Sequence, residues 1–330
     1  MHHRIHRRVL LSAALSASLI TLFHSETKAQ SEFPNKPVKF LVPYSPGSGS
    51  DNVARTIANA LTEKLGKQFM VENREGGGSL IGTLAVARSA PDGYTILMAA
   101  NPTIILPSQS AQPPYDPIKD FVPVGKVAVI PLVLAVTPNL KINNIRELQT
   151  HAKANPGKLS YGSSGQGTIS QQEMELFKQA AGLDIPEIPY KSTAQALTDV
   201  IGGNLDLFPV VVPSVAQHVQ SGRVRALAVF DSNRSPLLPE VPAITEVFSA
   251  AGYSPTPVWY GFLAPAKTPP AVVSSLATMI NGVLGTPEVK ARFTALGAQL
   301  VSTTNESFAA DMKAEYEKAG ALARRLGTVR

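Results

Sequence analysis

Residues 38–65 read VKFLVPYSPGSGSDNVARTIANALTEKL. Val38-Lys39-Phe40-Leu41-Val42 has the β-branched and aromatic content of a strand. Pro43 to Ser50 is a Pro/Gly/Ser loop. Val53 to Leu65 then carries Val53, Ala54, Ile57, Ala58, Leu61 and Leu65 at 3–4 spacing, the signature of an amphipathic helix that Gly66 stops. A strand, a tight glycine-rich loop and a helix in that order begin a βαβ unit, and such units build sheets of mainly parallel strands with helices on their faces.

Working outward, the same rhythm continues. Gln68–Glu72 reads as a strand, 73–79 as a turn, Leu80–Arg88 as a short helix and Tyr94–Ala99 as a strand. It restarts at Leu132–Val136, followed by a helix at 145–154 with Asn144 and Glu147 as a cap pair. The strand Leu159–Gly162 leads into a second glycine/serine loop. Ser170-x-x-Glu173 has the spacing of a capping box opening a helix to Ala181. Strands follow at 187–190, 206–211, 224–230 and 259–264, with helices at 194–201 and 215–220 between them. Residues 232–256 are proline-rich and irregular. Three helices, at about 269–284, 287–296 and 306–326, close the chain. The fold class expected is α/β, with two lobes, each a mainly parallel sheet flanked by helices and with a cleft between them. The division expected is a leader at 1–29, a first lobe from 30–131 and 260–330, and a second from 132–259.

Composition removes several chemistries. The 330 residues include no cysteine, which excludes disulfides, thiolate metal sites and a cysteine nucleophile. Arg4, Arg7 and Arg8 precede an apolar stretch from Val9 to Phe23, and Thr27-Lys28-Ala29 offers small residues for cleavage. This reads as a secretory signal rather than a spanning helix, which needs about 20 apolar residues. Setting 1–29 aside removes Arg4, Arg7, Arg8 and Lys28 against Glu26, so the net charge falls from +6 to +3. That balance gives no reason to expect nucleic acid. His2, His3, His6 and His24 leave with the leader. His151 and His218 remain, isolated in helical segments, and support neither a metal site nor a Ser-His-Asp triad. No metal, cofactor or catalytic residue is expected.

The binding chemistry concentrates in the two loops. Pro43-Tyr44-Ser45-Pro46-Gly47-Ser48-Gly49-Ser50-Asp51 and Gly162-Ser163-Ser164-Gly165-Gln166-Gly167-Thr168-Ile169-Ser170 each join a strand end to a helix start. Helix N-termini present unpaired N–H groups and roughly half a positive charge. Glycine permits close approach, and the hydroxyls add donors. Neither loop contains Lys, Arg or His, neither matches G-x-x-x-x-G-K-[ST], and neither completes G-x-G-x-x-G. Neutral donors on helix ends suit one carboxylate better than a polyphosphate. The candidate ligand-binding residues are Tyr44, Ser45, Gly47, Ser48 and Ser50 in the first loop, and Ser163, Ser164, Gly165 and Thr168 in the second. Asn101 follows the strand that ends near Ala100, with Thr103 a weaker candidate of the same kind. Asp199, and with it Asp206, reads either as orienting the cleft or as a cap or surface residue. Gly76-Gly77-Gly78-Ser79 reads as a further contributor or as a plain turn, and Trp259 as a core residue.

Pro43-Tyr44-Ser45-Pro46-Gly47 followed by Ser50-Asp51-Asn52-Val53-Ala54-Arg55 resembles the first loop of the tripartite tricarboxylate transporter substrate-binding proteins, the Bug family. Further matches are Val71-Glu72-Asn73-Arg74, Ala90-Pro91-Asp92-Gly93-Tyr94-Thr95, Leu159-Ser160-Tyr161-Gly162-Ser163, Pro189-Tyr190-Lys191 and Ala196-Leu197-Thr198-Asp199. The resemblance covers essentially all of the chain after the leader. It implies a periplasmic, monomeric Venus-flytrap protein of a Gram-negative bacterium. Such a protein captures a small carboxylate on the two loops and delivers it to integral-membrane transporter subunits. The chain departs from the family where Ser48 and Ser50 replace glycine, and where Gln171 and Gln172 replace a small residue and a histidine. An exported hydrolase or isomerase acting on a small carboxylate is the alternative on the same scaffold.

Overall fold

β1 (Val38–Val42) has Val38, Phe40, Leu41 and Val42 buried, so it lies inside a sheet covered on both faces. The computed structural model describes residues 33–165, 168–190 and 192–329, and Lys36–Arg330 form one compact unit. The leader expected at 1–29 lies outside the described residues.

After β1, α1 (Gly49–Leu65) begins earlier than the apolar spacing alone implies. Ser48 is its N-cap, and the Ser48 hydroxyl accepts from the Asp51 N–H at 3.3 Å. Four residues expected in or beside the loop, Gly49 to Asn52, are therefore helical. β2 (Phe69–Asn73), α2 (Leu80–Ala87) and β3 (Thr95–Ala100) follow near their expected positions. Among the elements not anticipated are the short α3 (Pro102–Ser108) and the ten-residue β4 (Phe121–Ile130), with Pro123 and Gly125 inside it.

β5 (Leu132–Val136) is apolar throughout because its side chains feed two separate cores. Leu132, Leu134 and Val136 pack with Tyr161, Phe177 and Phe230, while Val133 and Ala135 pack with Phe208, Val210 and Val229. Then come α4 (Ile145–Ala154), β6 (Tyr161–Ser163), α5 (Ile169–Ala181), β7 (Glu187–Pro189), α6 (Thr193–Gly202), β8 (Leu207–Val211), α7 (Val212–Gln220) and β9 (Arg225–Phe230). The cap pair of α4 forms as expected: Asn144 accepts the Glu147 N–H at 2.9 Å. The capping box expected at Ser170 does not form. Thr168 caps α5 instead, placing Ser170 and Glu173 inside the helix. Glu173 is fully buried, and its carboxylate accepts from the Tyr253 hydroxyl at 2.7 Å and the Thr256 N–H at 2.8 Å. It serves the tertiary fold, not the helix end.

The segment after β9 holds one short helix, α8 (Ile244–Val247), and leads into β10 (Val258–Pro265). α9 (Pro270–Leu284), α10 (Pro287–Ala295), the two-residue β11 (Gln299–Leu300) and α11 (Asn305–Leu326) finish the chain. Pro270 occupies the first helical position of α9, where its missing N–H leaves no hydrogen bond unmade.

The strands form two sheets, ordered β11-β4-β10-β3-β1-β2 and β7-β6-β8-β5-β9. In the second, β5 runs against both β8 and β9, while β6, β7 and β8 are parallel. In the first, β1, β2 and β3 are parallel, and β10 runs against β3 and β4. The α/β class holds, but the sheets are mixed rather than mainly parallel: the first has two parallel and three antiparallel strand pairings and the second two of each, with β5 and β10 among the reversed strands. Those two begin just after the chain passes between sheets, at Pro131 and at Pro257. The strands that end in the glycine/serine loops, β1 and β6, deliver them to the carboxyl ends of their sheets, where open α/β sheets bind ligands.

Candidate functional site

The first loop is held by one carboxylate. Asp51, in the first turn of α1, accepts from the Gly47 N–H at 2.8 Å, Arg55 Nε at 2.9 Å and Asn73 Nδ2 at 2.8 Å. Asn73 also donates to the Tyr44 carbonyl at 3.0 Å. Burial of Asp51 works against its charge, but hydrogen bonds from Arg55, Gly47 and Asn73 outweigh it and hold the carboxyl below its ordinary range. Gly47 adopts φ +80°, which only glycine takes without strain. This knot uses the Gly47 N–H, and the Ser48 cap uses those of Asp51 and Asn52. The N–H groups of Gly49 and Ser50 have no partner inside the helix.

The second loop repeats the arrangement. The Ser163 hydroxyl, buried behind the loop, donates to Glu187 and accepts from the Gly165 N–H at 2.9 Å. The Thr168 hydroxyl donates to the Gly165 carbonyl at 2.6 Å, and its backbone carbonyl accepts from Gln172 at 3.0 Å. The N–H groups of Ile169 and Ser170 are left at the helix start without an intrahelical partner.

Both helix starts open on the same cavity of about 330 Å³. Its polar wall includes Ser48, Gly49 and Ser50 from α1, and Ser164, Thr168 and Ser170 at α5. Its apolar wall comes from the strands: Leu132, Phe208, Val210, Val258 and Tyr260. Among the described residues no Lys, Arg or His lines it. The Tyr260 hydroxyl lies so close to Gly49 that a Cβ there would collide with it, and burial pushes its pKa up to about 12. Burial raises the Tyr44 hydroxyl further. Both phenols are neutral hydrogen-bonding groups at physiological pH.

Of the residues expected at the site, Tyr44, Ser48, Ser50, Asn101, Ser164 and Thr168 line this cavity. Ser45 lies in an adjoining one, where its hydroxyl bonds Glu75. Gly47, Ser163 and Gly165 stand outside the wall and shape the loops, their polar groups used by the bonds above. Asp199 is also off the wall: it accepts the Tyr190 hydroxyl at 2.9 Å, and its carbonyl accepts from Asn204 and Leu205. Asp206 holds Ser160, accepting its N–H at 2.8 Å. Asn101 is 1% exposed and structurally committed. It donates to Glu315 at 2.7 Å and accepts from the Trp259 N–H at 3.0 Å, pinning the start of β10. Trp259 is a core residue as expected, stacked edge-on against Phe308, with its indole N–H donating to Glu315 at 2.6 Å.

The wall residues that escaped the sequence reading include Thr193, Phe208 and Tyr260. Thr193 opens α6 after β7, so a third strand–helix junction reaches the cavity. Its Ser192-Thr193 start had the same strand–polar–helix order as the other two. Phe208 and Tyr260 come from strands far along the chain, and no local pattern marks them.

A family model described as the tripartite tricarboxylate transporter family receptor matches residues 53–328. The protein BugT of Bordetella pertussis is 34% identical over 302 residues, covering 89% of this chain and 90% of BugT. The solved structure of the periplasmic binding protein BugD is 33% identical with a TM-score of 0.70, covering 90% of this chain and 99% of that one. A Rhodopseudomonas palustris protein solved with adipate is 31% identical with a TM-score of 0.71, covering 88% and 98%. Among the described residues, no helix is long and apolar enough to cross a membrane. The fold, the two glycine/serine junctions and the extent of these matches agree: the chain belongs to the receptor family of the tripartite tricarboxylate transporters, whose members are periplasmic solute-binding proteins.

Proposed function

We propose that the protein captures a small carboxylate between its two lobes and presents it to the membrane subunits of a transporter. The observation that carries this is the convergence of the α1 and α5 starts, one from each sheet, on one cavity with no cationic side chain among its described lining residues. The N–H groups of Gly49, Ser50, Ile169 and Ser170, which have no partner inside their helices, and the hydroxyls of Ser50 and Ser164 supply charge-assisted hydrogen bonds worth about 1.5–3 kcal/mol each. The apolar wall from Leu132, Phe208 and Val210 takes the rest of the ligand. The carboxylate bound by the adipate-containing relative supports this class of ligand. The lobes divide where β4 passes to β5 and where the chain enters β10, and ligand binding couples to their closure. The protein acts as a monomer, exported through a signal cleaved near Ala29, and it binds without turning its ligand over.

Titration calorimetry with mono-, di- and tricarboxylates, aromatic ones included, tests the reading. One member at least is expected to give saturable heat and to raise the melting temperature as RT ln(1 + [L]/Kd) requires. Silence across the panel, or a changed mass of the bound ligand after incubation, would overturn it. Ser164→Asp sharpens the test. Ser164 is exposed, so the variant folds, yet it sets a second negative charge beside the bound one. At about 4 Å and an effective dielectric of 20 the repulsion is about 4 kcal/mol. Affinity is expected to fall by at least about 100-fold, with the melting temperature of the free protein unchanged. Retained affinity would move the carboxylate away from α5.

A further inference from the structure

A second chamber adjoins the main cavity and shares Tyr44, Ser48, Pro102 and Thr168 with it. Its volume is about 480 Å³, and Gly76, Gly78 and Ser79 of the turn before α2 line its far side. We infer that this chamber is a distal subsite that takes an uncharged hydrogen-bonding group, a hydroxyl in preference to a second carboxylate, at the far end of the ligand. The inference rests on carboxylate capture in the main cavity and names the ligand's other end.

Ser79 is the first support. It occupies the N-cap position of α2, where a serine hydroxyl normally accepts from the helix, but its side chain makes no capping bond. Its backbone is at φ +94°, a strained conformation for a residue with a Cβ. The residue is 2% exposed, and its hydroxyl has no partner among the described residues. Strain, burial and an unused hydroxyl on a cavity wall together point to a ligand rather than to the fold.

Its neighbours extend the pattern. The Tyr44 hydroxyl is also buried and makes no well-aligned hydrogen bond, although Ser79 and Thr103 lie close enough to interact with it. Thr83, one turn into α2 and wholly buried, has a third unpartnered hydroxyl. It lies beside Tyr115, whose own hydroxyl is used on the Thr103 carbonyl at 2.9 Å. Ser79 and Tyr44 on the chamber wall, and Thr83 one turn into α2, thus each lack a well-aligned hydrogen bond.

Charge decides which group they fit. Glu75 is the only charged side chain among the described residues lining the chamber, and it stands exposed at the rim with Ser45 bonded to it. A second carboxylate would enter beside that negative charge with no cation to answer it. A hydroxyl both donates and accepts, which is what unpaired serine and tyrosine hydroxyls can answer.

The test is calorimetry with ligands matched in length and differing only at the far end. One series is alkanoates of four to eight carbons, their ω-hydroxy acids and their diacids, including hexanoate, 6-hydroxyhexanoate and adipate. The other is 3-phenylpropanoate and its para-hydroxy and para-carboxy derivatives. At the best-fitting length the hydroxy acid is expected to bind at least tenfold tighter than the unsubstituted acid, and tighter than the diacid. Ser79→Ala should erase that gain and leave the unsubstituted acid within twofold. Ser79→Gly should do the same while relieving the backbone, so a folding defect is separable from a lost contact. Tightest binding by a diacid, or no hydroxyl gain at any length, overturns the distal subsite but leaves carboxylate capture standing. Equal weakening of all three ligand ends by Ser79→Gly also overturns it. No binding by any member overturns both.

Discussion

Gly82→Ala is expected to destabilise the protein by about 2–3 kcal/mol and to weaken ligand binding, although Gly82 lies inside a helix. Glycine in a helix interior normally costs about 0.5–1 kcal/mol relative to alanine, so the intrinsic propensity favours the change. The surroundings reverse the sign. A Cβ on Gly82 would come within 2.6 Å of the Arg74 carbonyl oxygen, 2.8 Å of Pro43 Cβ and 2.9 Å of Pro43 Cα. Two of those atoms are backbone and the third belongs to a ring, so none can swing aside. The Arg74 N–H is itself bonded to the Val42 carbonyl at 2.9 Å, which locks β1 to the end of β2. α2 must therefore retreat, or Pro43 must move and carry Tyr44 with it. Either displacement disturbs the wall shared by the two cavities. Gly285→Ala is the control: Gly285 ends α9 at φ −77° with nothing within 4 Å of its Cβ position, and its substitution should leave stability unchanged or slightly raised. Urea denaturation of the two variants measures both. Equal midpoints would show that α2 is not pressed against the first loop.

Gly82 also shows what was legible in the sequence and what was not. Period and punctuation located most elements, because strand and helix patterns and their Gly, Ser and Thr boundaries are written locally. Ser48, Ser50, Ser164 and Thr168 were found the same way, as polar residues between a strand end and a helix start. Thr193 shares that grammar but lacks the flanking glycines, so it was not singled out. The start of α1 was misplaced because Gly49 to Asn52 are poor helix formers that the Ser48 cap and the Asp51 knot hold in place. Glu173 satisfied the spacing of a capping box, yet Thr168 capped the helix and released Glu173 to distant partners. Phe208 and Tyr260 enter the cavity through strand order, which no window of sequence contains. Asn101 lies on the cavity wall, but its commitment to Glu315 depends on a helix more than 200 residues away.

That helix carries the other large effect. Stability is expected to fall as pH rises from about 4.5 to about 7, and the fall should be roughly halved in Glu173→Gln. Burial pushes the carboxyls of Glu173 and Glu315 up to about 7 against hydrogen bonds that favour their charge. Their unfolded value is 4.5, so between 4.5 and 7 the folded chain retains protons that the unfolded chain has released. The proton count in that window favours the folded state at the acid end, and the contribution is lost as pH rises through the folded pKa. A raised pKa of this size corresponds to about 3 kcal/mol per group. The charged and titratable groups around Glu173 are Lys318 of α11, whose own burial lowers its pKa despite the two carboxylates, and Tyr253. Lys318 also donates to the Ser254 carbonyl at 2.7 Å and the Thr256 hydroxyl at 2.8 Å, so Glu173 and Lys318 grip the same approach to β10 from α5 and α11. Glutamine at 173 copies the neutral carboxyl, and the Tyr253 hydroxyl can turn to accept from its amide. Glutamine at 315 has no such escape. Both partners there, Asn101 Nδ2 and Trp259 Nε1, are donors, so one of them would face an amide N–H inside the core. Glu315→Gln is therefore expected to cost about 1–3 kcal/mol at every pH and to loosen the ligand through Asn101, while Glu173→Gln should match or exceed the native protein at pH 8. Denaturation at pH 5 and pH 8 separates the two variants. An unchanged pH slope in Glu173→Gln would remove Glu173 from the titration. A silent Glu315→Gln would mean that Asn101 and Trp259 do not depend on that carboxylate.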